Sequence, residues 1–157
     1  MRGTMICGVT DSDEGRAAVE LGVELSQRLG LRLVLAHVAQ GFYPHDAVED
    51  GVESVAMKGD RIQAERLLVT LAEEYGITET AERRSSVGDR AALLGQIAAE
   101  EAADLILVGS RVRGWRGRGL RSSLAEELKE ATPVPILIAP PSSRRREKVG
   151  AAHAMRR

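Results

Sequence analysis

The residues with the most chemical potential lie between Val108 and Ser123, in the stretch VGSRVRGWRGRGLRSS. Glycines stand at Gly109, Gly114, Gly117 and Gly119. Arginines stand at Arg111, Arg113, Arg116, Arg118 and Arg121, with no acid among them. The stretch follows an apolar run, DLILV, and precedes a helical pattern, LAEELKEA. A glycine-rich turn between a strand and a helix is a common phosphate cradle. Glycine lets the backbone come close to an anion, and a helix N-terminus favours negative charge. Arginine adds forked donors that match phosphate. A second polar cluster, TDSDE from Thr10 to Glu14, follows the apolar run MICGV and is acidic instead. Its carboxylates oppose a bare polyphosphate unless a metal intervenes.

Each of these signals also has a structural reading. Ser123 with Glu126 has the spacing of a capping box, and so does Asp11 with Glu14. Gly109 serves equally as a turn after a strand or as a phosphate contact. Gly88-Asp89 reads as a helix start rather than a catalytic acid. His37, inside an apolar strand, reads as a satisfied core histidine, and His45 and His153 lack metal-ligand spacing. Cys7 is the single cysteine and sits within MICGV, so a buried, inert thiol is expected. Trp115 among arginines reads as part of a solvated loop or a partner-facing one. Arginines around an aromatic can bind nucleic acid, but a net charge of −1 gives no global bias toward that partner. No nucleophile–base pair stands out, so no catalytic residue is expected.

The elements that must position these residues follow from hydrophobic spacing. The 157 residues, 43% hydrophobic and 29% charged, suit one domain with a substantial core. No apolar run approaches a membrane span. Met1 to Thr10 has no long apolar core after Arg2, so no secretory signal is expected and the cytoplasm is the default compartment. Thr4–Val9 reads as a first strand. Ser12–Leu29 reads as a helix with Ala18, Leu21, Leu25 and Leu29 inward, ended by Gly30. Leu31–Val38 is a second strand, apolar enough to be buried on both faces. Residues 40 to about 55 read as irregular. A second helix follows to about Tyr75, with Ala64, Leu68, Leu71 and Tyr75 on one face, and Gly76 stops it. Thr80–Val87 is a polar strand suited to a sheet edge. A third helix has Leu94, Ile97 and Ala98 inward. Asp104–Val108 is the fourth strand, Ser123–Ala131 the fourth helix, closed by Pro133, and Val134–Ala139 the fifth strand. Pro135 favours an edge position there. Ser142–Arg157 is basic and aperiodic, and reads as a flexible tail.

This strict alternation predicts a three-layer α/β domain over residues 1–141, with a five-stranded parallel sheet covered by helices on both faces. In such a sheet the ligand crevice lies beyond the strand carboxyl ends, at the switch point between the first and fourth strands. The loops Thr10–Asp13 and Gly109–Ser122 both fall there.

With these motifs in this order, the chain resembles the universal stress protein family from Met5 to Pro140. The resemblance rests on the first strand and helix, LAHV ending the second strand, VGD opening the third helix, and DLILVGSR followed by SSLAEELKEATPVPILIAP. It implies an adenine-nucleotide α-hydrolase-like, Rossmann-like fold and a homodimer formed through the last strand, here VPILIA at 134–139. ATP-binding members of the family carry Gly-x2-Gly-x9-Gly-[Ser/Thr] at the end of the fourth strand. Laid on this sequence without gaps, the first glycine is Gly109, the second falls on Val112, the third on Ser122 and the hydroxyl on Ser123. The family's aspartate after the first strand falls on Thr10, with Asp11 one residue late, and the valine whose backbone meets adenine falls on Val38. Thr10, Asp11, Val38, Gly109, Arg111, Val112, Ser122 and Ser123 are thus the expected, degenerate nucleotide site. On the family's loop path, β-branched Val112 would carry strain of about 1–3 kcal/mol or crowd a phosphate. The resemblance therefore implies a homodimeric stress-response module acting through protein partners, without tight ATP binding and with no metal site. The alternative is a member regulated by ATP, with magnesium, or by another adenine nucleotide, and hydrolysing it slowly at most. An enzyme of the wider α-hydrolase-like group is a more distant third reading.

Overall fold

The structure, a computed structural model, describes residues 2–41, 48–49, 52–110 and 123–141. Parallel strands β1 (Thr4–Gly8) and β2 (Arg32–Ala39) are joined by helix α1 (Asp13–Leu29). A short antiparallel pair, β3 (Val48–Glu49) with β4 (Val52–Glu53), precedes helix α2 (Val55–Glu74). Strand β5 (Ala81–Val87), helix α3 (Arg90–Glu100), strand β6 (Leu105–Gly109), helix α4 (Leu124–Ala131) and strand β7 (Ile136–Ala139) complete the order. The main sheet runs β5-β2-β1-β6-β7 with every pair parallel. This is the predicted five-stranded α/β sheet, and the order reverses between β1 and β6, as expected.

The register explains why the central strands are apolar throughout. Cys7 of β1 lies opposite Leu35 of β2 on one side and Leu107 of β6 on the other. Alternate residues then feed two separate cores. Met5, Cys7, Leu33, Leu35 and Leu107 pack with Leu68 and Leu71 of α2 and with Ala18 and Val19 of α1. Ile6, Val34, Val38, Ile106 and Val108 pack with Leu94 and Ile97 of α3 and with Leu128 of α4. A residue alternation of two along each strand is what sends neighbours to opposite faces. The thiol of Cys7 is wholly buried, and desolvation pushes its pKa up to about 12. It is inert at neutral pH, as the sequence suggested.

Two local expectations differ from the structure. Leu29 does not face the core but is 63% exposed, because it is the last residue of α1 before Gly30 turns the chain in the left-handed region. The inward face of α1 is instead small, with Gly15, Ala17, Ala18, Val19 and Gly22 buried, and this brings the helix close to the sheet. The stretch after β2, read as irregular, contains the β3–β4 pair. The tail Ser142–Arg157 lies outside the described residues.

The two sheet edges differ in character. β5 carries Glu82, Arg83 and Arg84, and its charges join an ion-pair network. Arg32 of β2 contacts Glu82 and Glu101, each at 2.8 Å, and Arg84 contacts both Glu100 and Glu101. Charge of this kind guards an edge against unintended pairing. β7 itself carries no charged residue, and among the described residues Leu137 and Ile138 are exposed there. No helix among the described residues is long and apolar enough to cross a membrane.

Candidate functional site

The carboxyl ends of β1, β2 and β6 meet at the switch point. Their chain ends are tied together by backbone bonds. The Val9 amide donates to the Ala36 carbonyl at 2.8 Å, and the Ser110 amide donates to the Ala139 carbonyl at 3.2 Å. Thr10 follows β1, half-buried, with its hydroxyl 2.8 Å from that of Ser12. Ser12 is extended and caps α1, accepting from the Gly15 amide at 3.0 Å.

The expectation that Asp11 and Glu14 form the capping box is therefore overturned. Ser12 holds the cap, and Asp11 swings out to pair with Arg16 at 3.1 Å. Arg16 is also within 3.4 Å of Glu74 on α2. These carboxylates hold the Arg16 guanidinium above its ordinary range, led by the hydrogen bond to Asp11. Asp11 is thus an exposed ion-pair partner at the rim.

Two glycines let these pieces close on one another. A Cβ built on Gly15 would lie 2.0 Å from the Thr10 carbonyl oxygen, and one built on Gly109 would lie 2.5 Å from the Glu14 carbonyl oxygen. Gly109 is accordingly the last residue of β6, paired with Ala139, and not the turn that the sequence suggested. Its missing side chain seats the first turn of α1. Thr10, Glu14, Gly15 and Gly109 are brought together by this packing. Gly15 was passed over in the sequence; the signal was the Ser-x-x-Gly spacing from cap to third helical residue.

The remaining expected residues divide. Val38 is buried on the α3–α4 side of β2, opposite Ser86 of β5. Its neighbour His37 is half-buried, with Nδ1 2.7 Å from the Val9 carbonyl. That contact makes Nδ1 the proton-bearing nitrogen. Burial, chiefly, holds its pKa below the ordinary histidine value. His37 is a satisfied histidine that staples β2 to the end of β1. Ser123 caps α4 in a complete capping box. Its hydroxyl accepts from the Glu126 amide, and Glu126 accepts from the Ser123 amide, both at 3.3 Å. Arg111, Val112, Ser122 and Trp115 lie outside the described residues, as do His45 and His153. Ser110, which the sequence reading left unassigned, has a buried hydroxyl with no hydrogen-bond partner among the described residues. Among those residues no cluster of His, Cys, Asp or Glu has the geometry to hold a metal ion.

A family model described as "Universal stress protein family" matches residues 1–140. No curated protein matches the chain significantly. Solved structures with the same fold include a universal stress protein in complex with cAMP, 22% identical. That match covers 90% of this chain and 98% of the other, with a TM-score of 0.59. UspA from Lactobacillus plantarum is 19% identical over 88% and 99% of the two chains, with a TM-score of 0.65. A universal stress protein family member from Arabidopsis thaliana with AMP bound is 15% identical over 91% and 94%, with a TM-score of 0.53.

Proposed function

The chain belongs to the universal stress protein family, and from that premise we propose that it is a homodimeric, cytoplasmic stress-response module that acts through partner proteins and does not hold Mg-ATP tightly. One observation carries the reading. The two surviving positions of the family's phosphate loop have structural duties that account for them without a ligand. Gly109 seats α1 against β6, and Ser123 completes the cap of α4. The family pattern's other two glycine positions fall on Val112 and Ser122, residues that carry a Cβ where the pattern has none. Support for the dimer is the apolar β7 edge, where Leu137 and Ile138 are exposed among the described residues.

The double variant Val112→Gly with Ser122→Gly tests this reading. Calorimetry should detect stronger Mg-ATP binding in the variant than in the parent. An unchanged affinity would show that loop backbone is not what limits binding.

A second reading is favoured by two structural neighbours, whose structures hold cAMP and AMP. In it the crevice takes an adenine nucleotide as a regulatory ligand, with Val38 and Thr10 at the nucleoside end and with slow hydrolysis at most.

A further inference from the structure

Two helices of the fold end in the same way and side by side. Gly30 follows α1 and leads into β2, and Gly76 follows α2 and leads toward β5. Both glycines take a φ of +65°, the left-handed turn open to a residue without a Cβ. The residue after each glycine closes its turn. The Leu31 amide donates to the Ser26 carbonyl, and the Ile77 amide donates to the Ala72 carbonyl, both at 2.9 Å. β2 and β5 are parallel neighbours, so the two turns meet at the amino edge of the sheet. A cavity of about 350 Å³ remains there, with residues of both turns in its wall. It lies at the opposite end of the strands from the switch-point crevice.

Val23, Leu31, Leu33 and Ile77 give the cavity apolar walls, and Arg2 and Gln27 line it where it meets solvent. The other polar groups of the wall are engaged. Ser26 donates to the Val23 carbonyl at 2.9 Å and Thr80 to the Ile77 carbonyl at 3.5 Å. Arg32 binds Thr4, Glu82 and Glu101. Arg2, by contrast, meets no carboxylate among the described residues, and no carboxylate lines the cavity among them. A cavity of this size, with apolar walls and a few polar groups to orient a ligand, is the usual form of a small-molecule site.

We propose that this cavity takes a medium-chain aliphatic carboxylate. Its chain lies against Val23, Leu33 and Ile77, and its carboxylate meets the Arg2 guanidinium, with the Gln27 amide as a further donor. The guanidinium fork matches a carboxylate. The walls hold no aromatic ring on which a planar ligand would stack, which favours an aliphatic chain. Arg2 is exposed, so chain burial supplies most of the affinity and the ion pair a smaller part.

Titration of the full chain with octanoate, followed by methyl NMR, tests this. Octanoate should shift the Leu33 and Ile77 methyl signals saturably, with a Kd of about 1 mM or tighter. Butyrate should bind at least about tenfold more weakly because its chain is shorter, and octylammonium several-fold more weakly because Arg2 repels it. Arg2→Gln and Gln27→Glu change exposed side chains only. Each should weaken octanoate about threefold and leave octanol unchanged. Leu33 and Ile77 signals that do not move, or octylammonium bound as tightly as octanoate, would overturn the proposal. An octanoate affinity unaltered in Arg2→Gln would overturn the assignment of the carboxylate to Arg2.

Discussion

A methyl group added at Gly15 would lie 2.0 Å from the Thr10 carbonyl oxygen, and one added at Gly109 would lie 2.5 Å from that of Glu14. Neither obstacle is a flexible side chain, so the helix or the strand end must move. Gly109→Ala should therefore destabilise the domain by about 1–3 kcal/mol, the usual range for overpacking. Urea denaturation would show this as a lower midpoint with an unchanged slope. Gly59 is a useful contrast. It sits within α2, and a Cβ there would meet nothing within 4 Å. Gly59→Ala should raise stability by about 0.5–1 kcal/mol, because alanine loses less backbone freedom in a helix. A midpoint that fell in Gly59→Ala, or held in Gly109→Ala, would contradict the packing described. The two glycines look alike in the sequence. What distinguishes them is a contact between segments nearly a hundred residues apart, which no local spacing records.

At the scale of elements, Glu101 ties three pieces together. It follows α3 and accepts from Arg32 of β2 and Arg84 of β5. Those hydrogen bonds, Arg32's first, hold its carboxyl below the usual carboxylate range. The sign follows directly. A depressed folded pKa contributes stability above the unfolded value, about 4.3 for glutamate, and that contribution is lost as pH falls through the folded value. The Tm gap between the parent and Glu101→Gln should be steady from neutral pH down to about pH 5, then close in stronger acid. A gap that widened on acidification would contradict the network. The order of these elements was legible because near-continuous apolar strands alternate with helices of 3.6-residue spacing. The polar β5 and β7, which Pro135 immediately precedes, are the two edges, as expected. The ends were less legible. Ser12 and Asp11 are both good caps, and only the Thr10–Ser12–Gly15 packing decides between them. Leu29 matches the helical spacing of α1 but lies past the core. The ion-pair network was not legible at all, because its members come from β2, β5 and the end of α3.

At the scale of the whole molecule, one sheet edge is charged and the other is apolar. The proposed homodimer is therefore expected to form along β7. Ile138→Asp should halve the mass of the particle in solution, read by light scattering, because a charge on an exposed apolar edge opposes its burial. An unchanged dimer would place the interface elsewhere. The site is only partly legible at this scale. The sequence located the switch point between β1 and β6 through alternation alone. The Ser123–Glu126 spacing already showed the cap of α4, whereas nothing in the sequence revealed that Gly109 is held in place by the first turn of α1. With Val112 and Ser122 at the other two glycine positions, those duties leave no position that only a phosphate would explain, and weak ATP binding is expected in a fold whose structural neighbours include nucleotide complexes. Calorimetric titration of the purified protein with Mg-ATP tests it most directly. No binding heat is expected at micromolar nucleotide, and a Kd of about 1 μM or tighter, equivalent to roughly −8 kcal/mol, would contradict weak binding.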